Sequence, residues 1–250
     1  LACVARTEKG GNCMILPEYE IVRDLFLQYE INVSRETFAK LETYAEFLVA
    51  YNQNVNLTAI TDGDGILKKH FLDSFLLYTS CLDCFPDDAK VLDIGSGAGF
   101  PSVPIALIAP DLDITLLDAL NKRIVFLELL REKLGCHYTA VHGRAELFIK
   151  ENVSRETFDV VTSRAVANLP TLAEYSLPYV KIGGHWLAMK AHEEIAPALK
   201  AIRLLGGELQ STVSYSLPDG DERVIYVVKK ISASPTKSPR NSSQIKQKPL

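Results

Sequence analysis

Val91-Leu92-Asp93-Ile94-Gly95-Ser96-Gly97-Ala98-Gly99-Phe100-Pro101 decides how the rest of the chain is read. A short apolar run is interrupted by an acid, and three glycines then alternate with small residues before a helix-compatible segment. That is the pattern of a buried strand, a tight turn and a helix N-terminus. Glycine permits positive φ and lets a ligand lie against bare main chain. The first amides of the helix lack intrahelical partners and carry the positive end of its dipole. The turn therefore predicts a ligand of nucleoside shape.

Outward from this turn, apolar strands alternate with helical segments from Lys90 onward, the signature of βαβ units and a parallel sheet. Strands are expected at 90–94, 113–118, 138–142, 158–163 and 182–189, with helices near 102–109, 121–134, 145–150, 169–180 and 193–205. A last strand pair, 208–216 and 223–230, flanks the turn residues Pro218-Asp219-Gly220. The result is an α/β fold with a mostly parallel seven-stranded sheet closed by a C-terminal hairpin. Residues 14–88 read as a small helical region, with Ser34 capping its second helix and Thr37 at the capping-box position. The α/β domain spans 89–231, and Ser/Pro/Lys-rich residues 232–250 read as a basic flexible tail. Residues 1–13, ahead of the first methionine, are set aside as an upstream extension. Asn-Val-Ser-Arg-Glu-Thr-Phe occurs at both 32–38 and 152–158 in unrelated contexts and is read as coincidence.

Composition narrows the function class. The chain has 250 residues, 47% hydrophobic and 23% charged, ordinary for a globular protein. Its longest apolar stretches, such as Val103–Ala109, fall far short of the roughly 20 residues of a membrane span. No basic segment precedes a long apolar core, so no signal peptide is expected. Five cysteines, including one lone Cys81-Leu82-Asp83-Cys84, suit reduced structural thiols in a cytoplasmic protein rather than a metal site. Net charge is −4, but the last 19 residues carry Lys237, Arg240, Lys246 and Lys248 and no acid. A basic arm on an acidic body is an electrostatic footprint for a polyanion.

Four positions carry the chemistry. The glycines run GxGxG into Phe100-Pro101, whereas the dinucleotide fingerprint is GxGxxG. A bulky ring at the mouth suits a ligand without a pyrophosphate, namely S-adenosylmethionine. Asp118 ends the second strand, where a carboxylate accepts from ribose hydroxyls; its alternative reading is a cap for the next helix. Arg144-Ala145-Glu146 follows the third strand, where an adenine edge would meet a backbone amide and a carboxylate. The fourth strand ends Thr162-Ser163-Arg164. It has neither the Asn/Asp-Pro-Pro-aromatic of amine methylation nor the Pro-Cys nucleophile of pyrimidine C5 methylation. Guanine N7 needs neither, because its in-plane lone pair carries no proton. Alignment and desolvation would then supply the rate. Arg164 is expected to orient base, phosphate or cofactor carboxylate.

Several segments are more specific than the glycine turn: Tyr51-Asn52, Asn56-Leu57-Thr58, Lys69-His70-Phe71-Leu72-Asp73-Ser74, Asn121-Lys122-Arg123 and Gly143-Arg144-Ala145-Glu146. With the glycine turn and Phe158–Ala165, they make the chain, from about Leu41 to its end, resemble the RsmG family, also called GidB. These are bacterial 16S ribosomal RNA guanine-N7 methyltransferases. The resemblance implies a class I S-adenosylmethionine-dependent methyltransferase fold, Rossmann-like, with a small N-terminal helical region. It implies methylation of guanine 527 in standard 16S numbering. It also implies cofactor contacts at Gly95, Gly97, Phe100, Asp118, Ala145, Glu146 and Arg164, and an RNA face containing Lys122, Arg123, Arg144, Lys190 and Arg240. Family tails read Tyr-Pro-Arg with a later glycine and proline, and end Pro-Leu. Here Pro239-Arg240 and Pro249-Leu250 stand, while Ser238, Ser243 and Ile245 depart from the pattern. Expected partners are 16S RNA or the small ribosomal subunit, with no membrane and no metal, and the protein is expected to be a monomer. The competing readings are a nicotinamide dehydrogenase on the same fold and a non-catalytic RNA-binding regulatory module.

Overall fold

A computed structural model describes residues 15–151, 154–164, 167–191 and 193–250. The expected upstream extension lies outside the described residues. The chain opens with α1 (Tyr19–Leu27) and α2 (Arg35–Asn52), the latter capped by Ser34, whose hydroxyl accepts from Thr37 N at 3.0 Å. α3 (Gly63–Ile66) runs through a π-helical stretch, Leu67–Leu72, into α4 (Asp73–Ser80). Then follow β1 (Lys90–Ile94), α5 (Ser102–Ile108), β2 (Asp113–Asp118), α6 (Asn121–Leu134), β3 (Thr139–His142), α7 (Ala145–Glu151) and β4 (Phe158–Arg164). α8 (Leu169–Ser176), β5 (Val180–Lys190), α9 (Leu199–Leu204), β6 (Gly207–Ser216), β7 (Glu222–Lys230) and α10 (Ser242–Gln247) complete the chain.

The sheet order is β3-β2-β1-β4-β5-β7-β6, parallel through β5 and antiparallel at β7 and β6. This is the expected mostly parallel sheet with a terminal hairpin. Strand order reverses between β1 and β4, so a crevice opens at the carboxyl ends of the strands, where α/β sheets bind ligands. β1 and β4 are buried along most of their length, which explains why their residues do not alternate.

The N-terminal helices share the sheet's core. One buried cluster runs from Leu16 through Tyr44, Phe71 and Phe100 to Val227. Each such fully buried side chain contributes about 1.5–3 kcal/mol. Tyr44 of α2 stacks on Phe100 at 5.0 Å between centroids, and its hydroxyl donates to Ala98 O inside the glycine turn.

The tail departs from expectation: it is packed against the body. Arg155 donates to the carbonyls of Ser234, Pro235 and Ser238, and Glu156 accepts from Ser234 N at 2.7 Å. Arg240 pairs with the buried carboxylate of Glu174 at 2.6 Å, and Ile245 of α10 is fully buried. Apolar Ile245 and Leu250 among lysines supply the anchor that a Ser/Pro/Lys average hides.

Candidate functional site

Three adjoining hollows line the carboxyl ends of the strands. The first, about 480 Å³, lies among Gly95, Ala119, Ala145, Glu146 and Tyr175, with Lys246 of α10 at its edge. A smaller chamber of about 180 Å³ shares Gly95 and adds Leu57, Thr58, Gly97, Phe100 and Arg123. His70 and Arg164 line that chamber and also a third cavity of about 520 Å³ beside Lys190 and Glu193. The three thus lie side by side along a path from β3 to β5, the first two sharing Gly95 as a wall and the last two sharing His70 and Arg164.

Local structure explains each wall. Gly97 stands at φ +60°, and a Cβ there would meet little but Gly95 O at 3.8 Å, so the turn presents bare backbone to the chamber. Gly99 is required by close approach, since a Cβ would sit 2.7 Å from the Tyr44 hydroxyl and 2.6 Å from Val103. Asp118 is buried and accepts from Gly97 N at 2.9 Å, Leu120 N at 2.9 Å and Arg123 Nη1 at 3.1 Å. It therefore ties the glycine turn to Leu120, the residue that precedes α6. Glu146 is buried and pairs with Arg144, while Arg144 also reaches Ser242 of the tail at 3.4 Å.

Arg164 binds the π-helical stretch to β4. Its guanidinium donates to Lys69 O and to Asp73 Oδ2, each at 3.1 Å, and lies 3.3 Å from His70 Nδ1. His70 stacks on Phe100 at 4.3 Å and meets the Thr58 hydroxyl through Nε2 at 3.0 Å. Burial and the neighbouring Arg164 charge push His70 down to about 3, so its ring is neutral, with Nδ1 between the Arg164 guanidinium and the Lys69 carbonyl, 3.1 Å away. π-Helical turns recur at functional sites. Here the turn carries the histidine that braces the helical region against the glycine turn.

Three residues have buried side-chain atoms without a hydrogen-bond partner among the described residues: both oxygens of Asp93, Nε of Arg123 and the Ser176 hydroxyl. Burial pushes the Asp93 carboxyl up to about 7, opposed by the nearby Ser102 and Thr162 hydroxyls. No group of three or more His, Cys, Asp or Glu able to hold a metal occurs among the described residues. Cys81 and Cys84 are free and buried, and burial pushes Cys81 up to about 12, which keeps it a thiol.

The profile described as rRNA small subunit methyltransferase G matches residues 37–224. The chain belongs to the rRNA small subunit methyltransferase G family. The relative from Lactococcus lactis subsp. cremoris is 44% identical over 228 residues, 89% of this chain and 94% of its own length. That from Streptococcus gordonii is 44% identical over 90% of this chain and 97% of its own. Both carry the name Ribosomal RNA small subunit methyltransferase G. A solved Klebsiella pneumoniae structure assigned as an O-methyltransferase shares the fold at 14% identity and TM-score 0.54, over 84% of this chain and 96% of that one. Membership makes the chain a methyltransferase, and the dehydrogenase and non-catalytic readings fall away.

Within this methyltransferase G fold the expected site residues separate into groups. Gly95, Gly97, Phe100, Ala145, Glu146 and Arg164 all line the path, and Asp118 stands directly behind it. Of the residues expected on an RNA face, Lys122 is exposed and Lys190 opens on the third cavity. Arg123 and Arg144 instead line the first two hollows, paired to acids. Arg240 is held by the buried carboxylate of Glu174. Asn52, Tyr44, Asp93 and Glu193 escaped the sequence reading as site residues. Asp93 stands two before Gly95, where an acid in an apolar strand was the available signal.

Proposed function

We propose that this protein methylates N7 of a guanine in 16S ribosomal RNA, at position 527 in standard numbering, with S-adenosylmethionine as donor. One observation carries the reading: the glycine-turn chamber adjoins a second, larger cavity, with His70 and Arg164 lining both. The donor fits the residues present. Arg123 lines the glycine-turn chamber, and its Nε has no partner among the described residues, which leaves a cationic donor for the carboxylate of an amino acid. Gly95, Gly97, Phe100 and Arg123 would hold the methionine part, with Asp118 accepting a ribose hydroxyl and Ala145 and Glu146 holding the adenine. When bound, S-adenosylmethionine supplies a sulfonium-activated methyl, which the N7 lone pair takes as the carbon–sulfur bond breaks. No base is needed, and neutral His70 and the engaged Asp73 are consistent with that. Arg164, anchored on four sides by Lys69, His70, Asp73 and Phe100, fixes the wall between donor and acceptor. The protein's work then consists of alignment and exclusion of water. A ribosomal substrate places it in the cytoplasm, and no helix among the described residues is long and apolar enough to cross a membrane. We further read it as a monomer.

The test is transfer of labelled methyl to naked 16S RNA and to 30S particles isolated from a deletion strain, mapped by mass. A single new 7-methylguanine is expected on one of the two. Calorimetric titration of Arg123→Ala should show cofactor binding weakened at least about tenfold, the loss of a charge-assisted contact. Unaltered binding would remove Arg123 from the site.

A further inference from the structure

The third cavity holds more than the general chemistry requires. Two carboxylates face it, and only one is available. Asp73 is buried, and its oxygens already accept from Tyr215 Oη at 2.8 Å and Arg164 at 3.1 Å, with Arg223 Nε at 3.7 Å. Glu193 differs, since a third of its side chain is open. Its Oε1 accepts from Leu169 N at 2.6 Å, and its Oε2 pairs with Lys190 Nζ at 2.7 Å. A carboxylate has about four acceptor sites, so about two remain. Lys190 also donates to Ala167 O, and the third N–H of its ammonium has no partner among the described residues. The backbone is fixed as well: Tyr226 Oη donates to Glu193 O at 2.7 Å. The pair is therefore a rigid donor set beside an acceptor.

Guanine presents the complement. Along its Watson–Crick edge run O6, an acceptor, then N1–H and the N2 amine, both donors. Adenine reverses the first two. N7 sits beside O6 on the major-groove edge, with the N2 amine across the ring system from it. Glu193 and Lys190 line only the third cavity, whereas His70 and Arg164 belong to it and to the donor chamber. A base with N7 toward the shared wall turns N1 and N2 away from it. Ile60 and Met189 give that cavity apolar surface for the ring faces.

We infer that the Lys190–Glu193 pair reads the Watson–Crick edge of the target guanine, Glu193 accepting from N1–H and the N2 amine and Lys190 donating to O6. Both are positioning and specificity residues; the inference rests on the methyl-transfer reading above and adds how the base is chosen. The experiment compares 16S RNA carrying guanine at the target with the same RNA carrying inosine, which lacks only the N2 amine. Wild type should favour guanine in kcat/KM by about tenfold, the value of one good polar contact to a base edge. Glu193→Gln should reduce that ratio to about twofold or less with cofactor affinity unchanged. A purely structural Glu193, serving only Leu169 N and Lys190, would lower both substrates equally and leave the ratio intact; that result overturns the inference. If Glu193→Gln fails to fold, wild type alone decides, because equal rates on guanine and inosine also overturn it. No product on any guanine RNA would instead sink the methyl-transfer reading, and this inference with it.

Discussion

Arg164 shows how one side chain can set the character of its neighbours. Burial and the Arg164 charge together keep the His70 imidazole neutral, while burial raises the Asp93 carboxyl against the pull of that same charge. These two groups pull stability in opposite directions with pH. Asp93 is raised from 3.8 to about 7, so its contribution is present at low pH and lost as pH climbs through that window. His70 is lowered from 6.5 to about 3, so its contribution is present above 6.5 and lost as pH falls. Relative to wild type, Asp93→Asn should gain about 3 kcal/mol in unfolding free energy between pH 4.5 and 7, and His70→Gln should lose a similar amount. Urea denaturation at the two pH values measures both. Parallel pH profiles for wild type and Asp93→Asn would show that the carboxyl is not held protonated.

Among the elements, the loop between α2 and α3 does the least expected work. Asn52 accepts from Leu57 N at 2.7 Å and Thr58 N at 3.0 Å and donates to Thr58 O at 2.9 Å. Thr58 then receives Ile60 N and meets His70, so one asparagine side chain shapes the loop that walls the donor chamber. Asn52→Ala leaves two amides and a carbonyl without partners and should cost about 1–3 kcal/mol, read as a lower urea midpoint at unchanged slope. An unshifted midpoint would mean that the loop keeps its shape without Asn52. The sequence could show this asparagine as the polar end of a helix, but not as the loop's organiser, because the partners are amides that every residue carries. By contrast the strands β1 and β2 were legible to the residue, since apolar runs bounded by turn residues have few alternatives. Asp118 was legible for the same reason: it sits where a strand ends. Glu193 was not, since nothing local distinguishes it from Glu194 until Lys190 and the start of α8 are brought beside it.

At the scale of the molecule, the tail and the body make one unit, and composition alone pointed the other way. Arg155 and Glu156, from the second copy of the repeated heptapeptide, hold residues 234–238. The buried ammonium of Lys230 donates to Leu177 O at 2.7 Å and Leu205 O at 3.0 Å, and to Ser234, where the tail begins. Beyond that, Arg240 meets Glu174 with three hydrogen bonds, two from its guanidinium and one from its backbone N–H. Glu174 is fully buried in α8, the helix whose Tyr175 and Thr171 line the first hollow, and α10 brings Lys246 to the same rim. The tail is thus the outer wall of the region we assign to adenine. Removing Arg240 strands a buried carboxylate, which costs about 3–5 kcal/mol, far more than the pair itself contributes. Arg240→Ala should therefore lower the melting temperature by several degrees and weaken cofactor binding as α10 detaches. Glu174→Leu added to Arg240→Ala removes the stranded charge and should recover most of the melting temperature. It should not recover the cofactor affinity, because α10 stays unclamped. Calorimetry and thermal melts on the single and double variants separate the two effects. If the double variant regains affinity along with stability, the tail is only a structural strap and takes no part in the cofactor wall.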